Sequence, residues 1–156
     1  MSRFPTNGRV AGIDYGTVRI GVAICDPSRT LASPYENYTR RDVKKDAEYF
    51  QKLVRAEQIV GFVVGLPVHT SGHESQKSYE ARQFATWLTE VTGLPTCFYD
   101  ERFTSLEAEG LLGDARMTKK RKKKRLDMVA AQLLLAAFLE SDQQGMSPRS
   151  LDDTSH

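Results

Sequence analysis

The sequence is poor in several features that mark particular classes of protein: it has two cysteines, one tryptophan and no long hydrophobic run among 156 residues. The longest unbroken apolar run, residues 133–139, is far shorter than the roughly 20 residues that cross a bilayer. The N-terminal segment lacks the apolar core of a secretory signal, which favours a cytoplasmic protein. Cys25 and Cys97 lie in apolar, strand-like runs without metal-binding spacing, so we expect small core residues rather than a disulfide or a zinc site.

The remaining composition is typical of one globular domain. Hydrophobic residues make up 40% of the chain and charged residues 27%, and the length is too short for two full-sized domains. We therefore predict a single domain over residues 1–140. The polar residues 141–156 are expected to form a disordered tail.

Positive charge is concentrated in one stretch, “KKRKKKR”. Seven of the 22 basic residues stand there, which leaves 15 basic against 20 acidic residues in the rest of the chain. Such a run is either a solvated, self-repelling loop or an arm that binds phosphates, with an affinity that depends on salt. Its members are Lys119, Lys120, Arg121, Lys122, Lys123, Lys124 and Arg125.

The hydrophobic pattern predicts a β-meander followed by alternating helices and strands. Residues 10–15 and 19–26 are close enough to form an antiparallel hairpin, in which Gly16 would take unusual backbone angles. A shorter third strand is predicted near residues 31–38. The other predicted elements are helices over residues 42–57, 74–92, 104–112 and 127–140, and strands over residues 58–65 and 96–102. This order predicts an α/β domain with a mixed sheet flanked by helices.

Helical spacing of apolar residues identifies the positions that should face the core in the first two helices. They are Val43, Ala47, Phe50, Leu53 and Val54 in the first helix, and Tyr79, Phe84, Trp87, Leu88 and Val91 in the second.

Four acidic residues are candidates for one site although they are far apart in the sequence. Asp14 interrupts a run typical of a buried strand, where an ionised carboxylate is costly without a compensating partner. Asp100 and Glu101 end the last strand, and Asp127 starts the last long helix. Because strand ends and helix starts gather at one edge of an α/β sheet, these carboxylates are predicted to converge. Such a cluster suits Mg²⁺ or Mn²⁺, and two ions could activate water for phosphodiester hydrolysis.

Each acid also has an ordinary structural interpretation. Asp127 could cap its helix, and Glu101 could pair with a neighbouring arginine. His69 and His73 occupy the polar loop “VHTSGHES”, where exposed loop histidines are favoured over a metal pair. Either histidine could still contact a substrate phosphate.

Four ordered motifs resemble those of the YqgF-type, RuvC-like nucleases. They are “GIDYGTVRIGVAICD”, “VVGLP” followed by “SG”, “YDERFTS”, and “LDMVAAQLLLAAFL”, and together they span roughly residues 9–140. The resemblance implies the ribonuclease H-like fold and nuclease activity on structured nucleic acid. The implied reaction is maturation of the 5′ end of the 16S rRNA precursor or, alternatively, resolution of Holliday junctions. Implied partners are precursor rRNA, branched DNA and ribosomal particles, for a monomer or a homodimer.

By motif, the resemblance assigns the metal ligands to Asp14, Glu101 and Asp127. Asp100 ranks lower because adjacent side chains of a strand point to opposite faces. Residues at motif positions near the site, which could orient ligands or substrate phosphates, are Arg19, Arg102 and Thr104.

Two other interpretations stay open. The stretch “DYGTVRIGVAICD” also resembles the phosphate loop of actin-like ATP-binding domains, but those proteins clamp ATP between two domains and this chain has length for one. The chain could also be a noncatalytic RNA-binding or ribosome-binding module with inert carboxylates. The presence of all three acids, Asp14, Glu101 and Asp127, argues against this loss of catalytic activity.

Overall fold

The computed structural model describes residues 4–67, 76–100 and 119–143, with side chains at positions 128–141 only in the last range. The strands are β1 (Arg9–Asp14), β2 (Arg19–Cys25), β3 (Ala32–Thr39), β4 (Ile59–Leu66) and β5 (Thr96–Asp100). The helices are α1 (Val43–Glu57), α2 (Gln76–Thr92) and α3 (Lys119–Gln143). The predicted helix over residues 104–112 lies outside the described residues.

The five strands form one mixed sheet in the order β3-β2-β1-β4-β5. The pairs β1–β2 and β2–β3 are antiparallel, and β1–β4 and β4–β5 are parallel. The predicted meander and mixed sheet are therefore confirmed. The third strand is not shorter than its neighbours, because it has eight residues where β1 has six and β2 seven.

Helices cover both faces of the sheet, and side chains alternate between them along β1. Ile13 packs with Phe50 and Phe84 in the core beneath α1 and α2. Val10 packs with Leu135 in the core beneath α3. The apolar strand residues thus divide between two cores, as expected for a sheet covered on both sides.

Gly12 lets α3 approach the middle of β1. A Cβ atom on this glycine would lie 2.9 Å from Cβ of Leu135 and 3.0 Å from the carbonyl oxygen of Ala131. Real Cβ atoms rarely come this close, so any side chain at position 12 would push the helix off the strand. Gly12 therefore fixes where α3 crosses the sheet.

The predicted core faces of α1 and α2 are correct except near the helix starts. Phe50, Leu53 and Phe84 are buried, but Val43 is 69% exposed and Tyr79 is 54% exposed. In the first turn of α1 the inward position belongs to Asp46, which is 2% exposed. This is possible because hydrogen bonds from neighbouring groups compensate for burial of its carboxylate.

The last helix begins earlier than the sequence pattern predicted. Helix α3 starts at Lys119 rather than Asp127, so the basic run forms helical backbone instead of a loop. Lysine and arginine have favourable intrinsic helix propensities, and a high charge density does not by itself end a helix. The helix also continues to Gln143, beyond the expected tail boundary at residue 141; residues 144–156 lie outside the described part of the chain. No helix among the described residues is long and apolar enough to cross a membrane.

The turn between β2 and β3 is organised by one carboxylate. Asp26 accepts hydrogen bonds from the hydroxyls of Ser28 (2.6 Å) and Thr30 (2.7 Å) and from the backbone N–H groups of Thr30 and Leu31 (both 2.8 Å). The hydroxyl donors, with the backbone donors, hold the pKa of this carboxyl well below its usual range. All four bonds favour the ionised form.

We expect Asp26→Asn to remove an acid-sensitive part of the protein's stability. The folded-state pKa is depressed, so the stabilisation is present above the ordinary aspartate value of 3.8 and is lost as the pH falls through the folded-state value. Urea unfolding should show the variant to be less stable than the parent at neutral pH, with a difference that narrows below about pH 4. A difference independent of pH would contradict this role of the charge.

Candidate active site

Asp14 is the last residue of β1 and is half-buried. It pairs with Gly21 of β2, and on the other side β1 runs parallel to β4, with Ile13 opposite Val64. The expected mid-strand position is therefore wrong, because the strand ends at this carboxylate. Such a position lets the side chain reach the open edge of the sheet while the apolar residues before it remain in the core.

The parallel strands all end at the same edge. β1 ends at Asp14 and β5 at Asp100, with β4 between them, so about 10 Å separates the two backbones. Phe98 belongs to the core beneath α1 and α2, whereas Tyr99 packs against the core beneath α3. By alternation, Asp100 lies on the face of Phe98, and Asp14 lies on the face of Gly12, which contacts α3.

Most of the other predicted site residues lie outside the part of the chain that the structure describes with side chains. Glu101, Arg102, Thr104, His69 and His73 lie outside the described residues, and of the basic run the structure gives backbone only. The backbone of Asp127 is in α3, eight positions after its first residue. An N-cap role for Asp127 is therefore wrong, because the helix already has two turns before it.

The turn that connects β1 to β2 is tight around Gly16. Gly16 does not have the positive φ that the sequence predicted; among the described residues the glycines with positive φ are Gly8 and Gly93. Glycine is needed here for another reason, because a Cβ atom would collide with the carbonyl oxygen of Arg19. After the turn, Gly21 of β2 pairs with Asp14, and Arg19 lines the same cleft as Asp14.

Arg40, the first residue after β3, forms hydrogen bonds with this turn. Its Nη1 atom donates to the hydroxyl of Tyr15 at 3.2 Å and to the carbonyl oxygen of Gly16 at 3.5 Å. Its backbone N–H donates to the carbonyl oxygen of Val18 at 2.9 Å. The guanidinium also lies over the ring of Tyr15, 5.5 Å from the centroid. Arg40 thus forms hydrogen bonds with three residues of the turn that follows Asp14.

The buried Asp46 anchors Arg40. Its carboxylate lies 3.4 Å from Nε of Arg40 and accepts hydrogen bonds from the hydroxyl of Tyr38 (2.7 Å) and the backbone N–H of Arg41 (2.8 Å). Burial and the hydrogen bond to Asp46 raise the pKa of Tyr38 to about 12. Sequence reasoning missed this network; its one signal was a charged residue four positions before Phe50, on the apolar face of α1.

An open cleft of about 490 Å³ lies at the end of β1. It brings together Asp14 and Arg19, which were predicted site residues, and adds Lys77 from the first turn of α2, which was not predicted. The cleft therefore combines two carboxylates, Asp14 and Glu80, with two cations that could hold a phosphate. The residues that line it are Asp14, Tyr15, Gly16, Thr17, Val18, Arg19, Gln76, Lys77 and Glu80.

The sheet order and the helices on both faces are those of the ribonuclease H-like class. A solved structure of Thermus thermophilus RuvC in complex with a Holliday junction substrate superposes with a TM-score of 0.56 at 14% sequence identity. The match covers 90% of this chain and 98% of that chain. At this identity the likeness establishes the fold, which confirms the predicted fold class.

The family model described as RuvX, Holliday junction resolvase, matches residues 8–141. This chain belongs to the RuvX family, so the predicted family and enzyme class, a nuclease, are confirmed. A protein of Rhodopirellula baltica named “Putative pre-16S rRNA nuclease” is 54% identical over 138 residues, which cover 88% of this chain and 80% of that protein. A protein of the same name from Koribacter versatilis is 37% identical, over 86% of this chain and 88% of its own length.

Proposed function

We propose that this protein is a metal-dependent endonuclease that hydrolyses phosphodiester bonds in structured nucleic acid, with the 16S rRNA precursor as its substrate. The observation that carries the proposal is the position of Asp14, at the end of a central strand and in an open cleft with Arg19 and Lys77. The names of two relatives with 54% and 37% identity support the choice of substrate. Ribosomal particles are then partners, and the cytoplasm is the place of action.

The donor set proposed for the cation is Asp14, Glu101 and Asp127. The described part of this set fits, because Asp14 presents a hard oxygen donor at the open edge of the sheet. Carboxylates are donors that Mg²⁺ and Mn²⁺ prefer. When bound there, such a cation would supply charge stabilisation for the scissile phosphate and a lowered pKa for an attacking water.

The elements that hold Asp14, Asp100 and Asp127 support the choice of ligands. Asp14 ends β1 on the face that contacts α3, whereas Asp100 ends β5 on the other face. Asp127 lies one helical turn before Ala131, the residue whose carbonyl oxygen approaches Gly12. These placements support the choice of Glu101 over Asp100.

The cations of the site would position the nucleic acid. Arg19 and Lys77 line the cleft beside Asp14 and can hold the phosphates that flank the scissile bond. The seven cations of residues 119–125, together with Arg102 and Thr104, would add contacts to the phosphate backbone. Such contacts increase affinity without reading sequence, so shape and base contacts must select the substrate.

Holliday junction resolution is the second candidate function. The description of the matching family and the fold shared with RuvC favour it. A resolvase needs a symmetric dimer to make paired cuts, whereas an RNA-trimming enzyme can act as a monomer. An actin-like ATP-binding domain ranks lowest, since the family model that matches residues 8–141 is described as a Holliday junction resolvase.

The two functions are separated by cleavage assays on matched substrates. We expect purified protein with Mg²⁺ or Mn²⁺ to cut a 5′ precursor fragment of 16S rRNA, and a chelator to abolish the cleavage. A four-way DNA junction and a linear DNA duplex serve as comparison substrates. Symmetric cuts in the junction with intact RNA would favour the resolvase, and the absence of cutting in every substrate would indicate a noncatalytic module.

A further inference from the structure

A second recess adjoins the cleft at the end of β1. Its volume is about 260 Å³, and its walls are mostly apolar, with Phe84 and Trp87 among them. Tyr15 and Glu80 line both spaces, so the recess and the cleft share a wall. We propose that this recess binds one unpaired nucleobase of the substrate, beside the phosphate held at Asp14. The inference rests on the proposed nuclease function and extends it to a base-binding subsite.

The size of the recess suits a single ring system. Sites for drug-sized ligands occupy about 300–1,000 Å³, and this recess is slightly smaller than the lower limit. A protein partner would require a contact of about 800 Å² on each side, far more than the walls of one recess can offer. The volume therefore suits a small group that is part of a larger ligand held elsewhere as well, and the aromatic walls favour a planar one.

The recess presents planar groups held in place by their neighbours. The ring of Trp87 is half-buried and packs against Phe84 (5.5 Å between centroids) and Phe50 (6.3 Å). The guanidinium of Arg40 lies 5.5 Å from the ring centroid of Tyr15 and 5.7 Å from that of Phe84. Nucleobases stack on aromatic rings and on guanidinium planes, and prearranged partners reduce the entropy cost of stacking.

The charges separate a base subsite from a phosphate subsite. In the recess, the positive charge of Arg40 is matched by Asp46, and Glu80 adds a second negative charge. A phosphate is disfavoured there, whereas an uncharged base is not. The adjoining cleft shares Glu80 and also contains Asp14. It has, however, two cations, Arg19 and Lys77, that can hold a phosphate, whereas the cation of the recess is paired with Asp46. One nucleotide could therefore place its phosphate in the cleft and its base in the recess.

The polar groups at the recess could also read the edge of a base. Glu80 can accept hydrogen bonds, and the exposed amide of Gln83 can both donate and accept them. RNA is recognised mainly through unpaired bases that are stacked and hydrogen-bonded along their edges. The recess would therefore favour substrates with an unpaired nucleotide next to the scissile bond.

The test uses the natural fluorescence of the chain, because Trp87 is its only tryptophan. Asp14→Asn protein, which should bind without cutting, is titrated with an RNA duplex that carries a single-stranded 5′ extension. We expect tryptophan emission to fall as the RNA saturates the protein. A series of RNAs with one abasic nucleotide at successive positions should restore the unbound emission at one position only.

Variants provide an independent readout through the anisotropy of labelled RNA. Trp87→Leu should weaken binding of the intact RNA about tenfold, the range expected for loss of one stacked base. It should leave binding of the RNA that is abasic at the critical position unchanged. Trp87→Phe should retain most of the affinity, and Tyr79→Leu, an exposed aromatic on the same helix, is the matched control with no effect.

The outcomes distinguish the subsite from the function on which it rests. If the RNA is bound and cut by active protein while tryptophan emission stays constant and every abasic RNA binds equally, the base subsite is refuted and the nuclease function stands. If neither RNA nor junction DNA binds, both are refuted. The series of abasic RNAs is measured on protein that retains Trp87. It therefore tests the base subsite even if the Trp87→Leu variant does not fold.

Discussion

Asp14→Asn should lower the rate of cleavage at least about 100-fold, since loss of even an outer-shell partner of a metal ligand costs 10–100-fold in activity. The amide keeps the size of the side chain but removes the negative charge that would hold a divalent cation at the end of β1. The measurement is single-turnover cleavage of the 5′ precursor fragment of 16S rRNA, with Mg²⁺ varied over a wide range. Binding of the RNA should change much less than the rate.

The structure supplies a matched control for this experiment. Asp100 ends a neighbouring strand at the same edge of the sheet but lies on the other face. Asp100→Asn removes the same charge at a similar distance from solvent, and we expect it to retain most of the activity. Equal losses in the two variants would indicate a general effect of charge at this edge, and equal activity in Asp14→Asn and the parent protein would exclude Asp14 as a ligand.

Asp46→Ala should reduce the free energy of unfolding by about 2–3 kcal/mol, the cost of leaving buried hydrogen-bond donors without their acceptor. Asp46 is 2% exposed, and its loss would leave the hydroxyl of Tyr38 and the backbone N–H of Arg41 without their acceptor. Urea unfolding at neutral pH gives the free energy directly. Glu48→Ala, an exposed acid in the same helix, is the control and should change stability by no more than about 0.5 kcal/mol.

The conservative variant Asp46→Asn tests whether this network also serves the site. Its amide can still accept from Tyr38 or Arg41, so the fold should survive, but the charge that orients Arg40 is lost. Arg40 then holds Tyr15 and the carbonyl oxygen of Gly16 less firmly. We expect slower cleavage by the folded variant with a smaller change in RNA binding. Unchanged cleavage would limit Asp46 to stabilisation of the core.

Local patterns predicted much of the fold. The apolar, strand-like runs of β1 and β2 and the 3.6-residue period of α1 predicted the right elements, because each pattern reports which side chains a single element must bury. The errors occurred where one element meets another. Val43 is exposed and Asp46 is buried because the segment after β3 supplies hydrogen bonds to the carboxylate, and periodicity contains no information about those partners.

In the candidate site, too, the sequence predicted local features but not contacts between elements. The sequence singled out Asp14 because an acid in a strand-like apolar run is a local anomaly, and the resemblance to the family motifs added Arg19. It did not identify Lys77 or Arg40, which reach the end of β1 from α2 and from the segment after β3. The local sequence around Lys77 or Arg40 does not show which remote residues will lie next to it in the folded protein.

The sequence by itself determined the family, the alternation of elements and the presence of an acid in the first strand, because these depend on residue types and spacing along the chain. Only the tertiary structure decided that β1 ends at Asp14 rather than continuing past it, and that Gly12 sets the crossing point of α3. It also joined Arg40 and Asp46 to the turn beside the site. Those features depend on contacts between segments that are remote in the sequence, and such contacts exist only once the chain is packed.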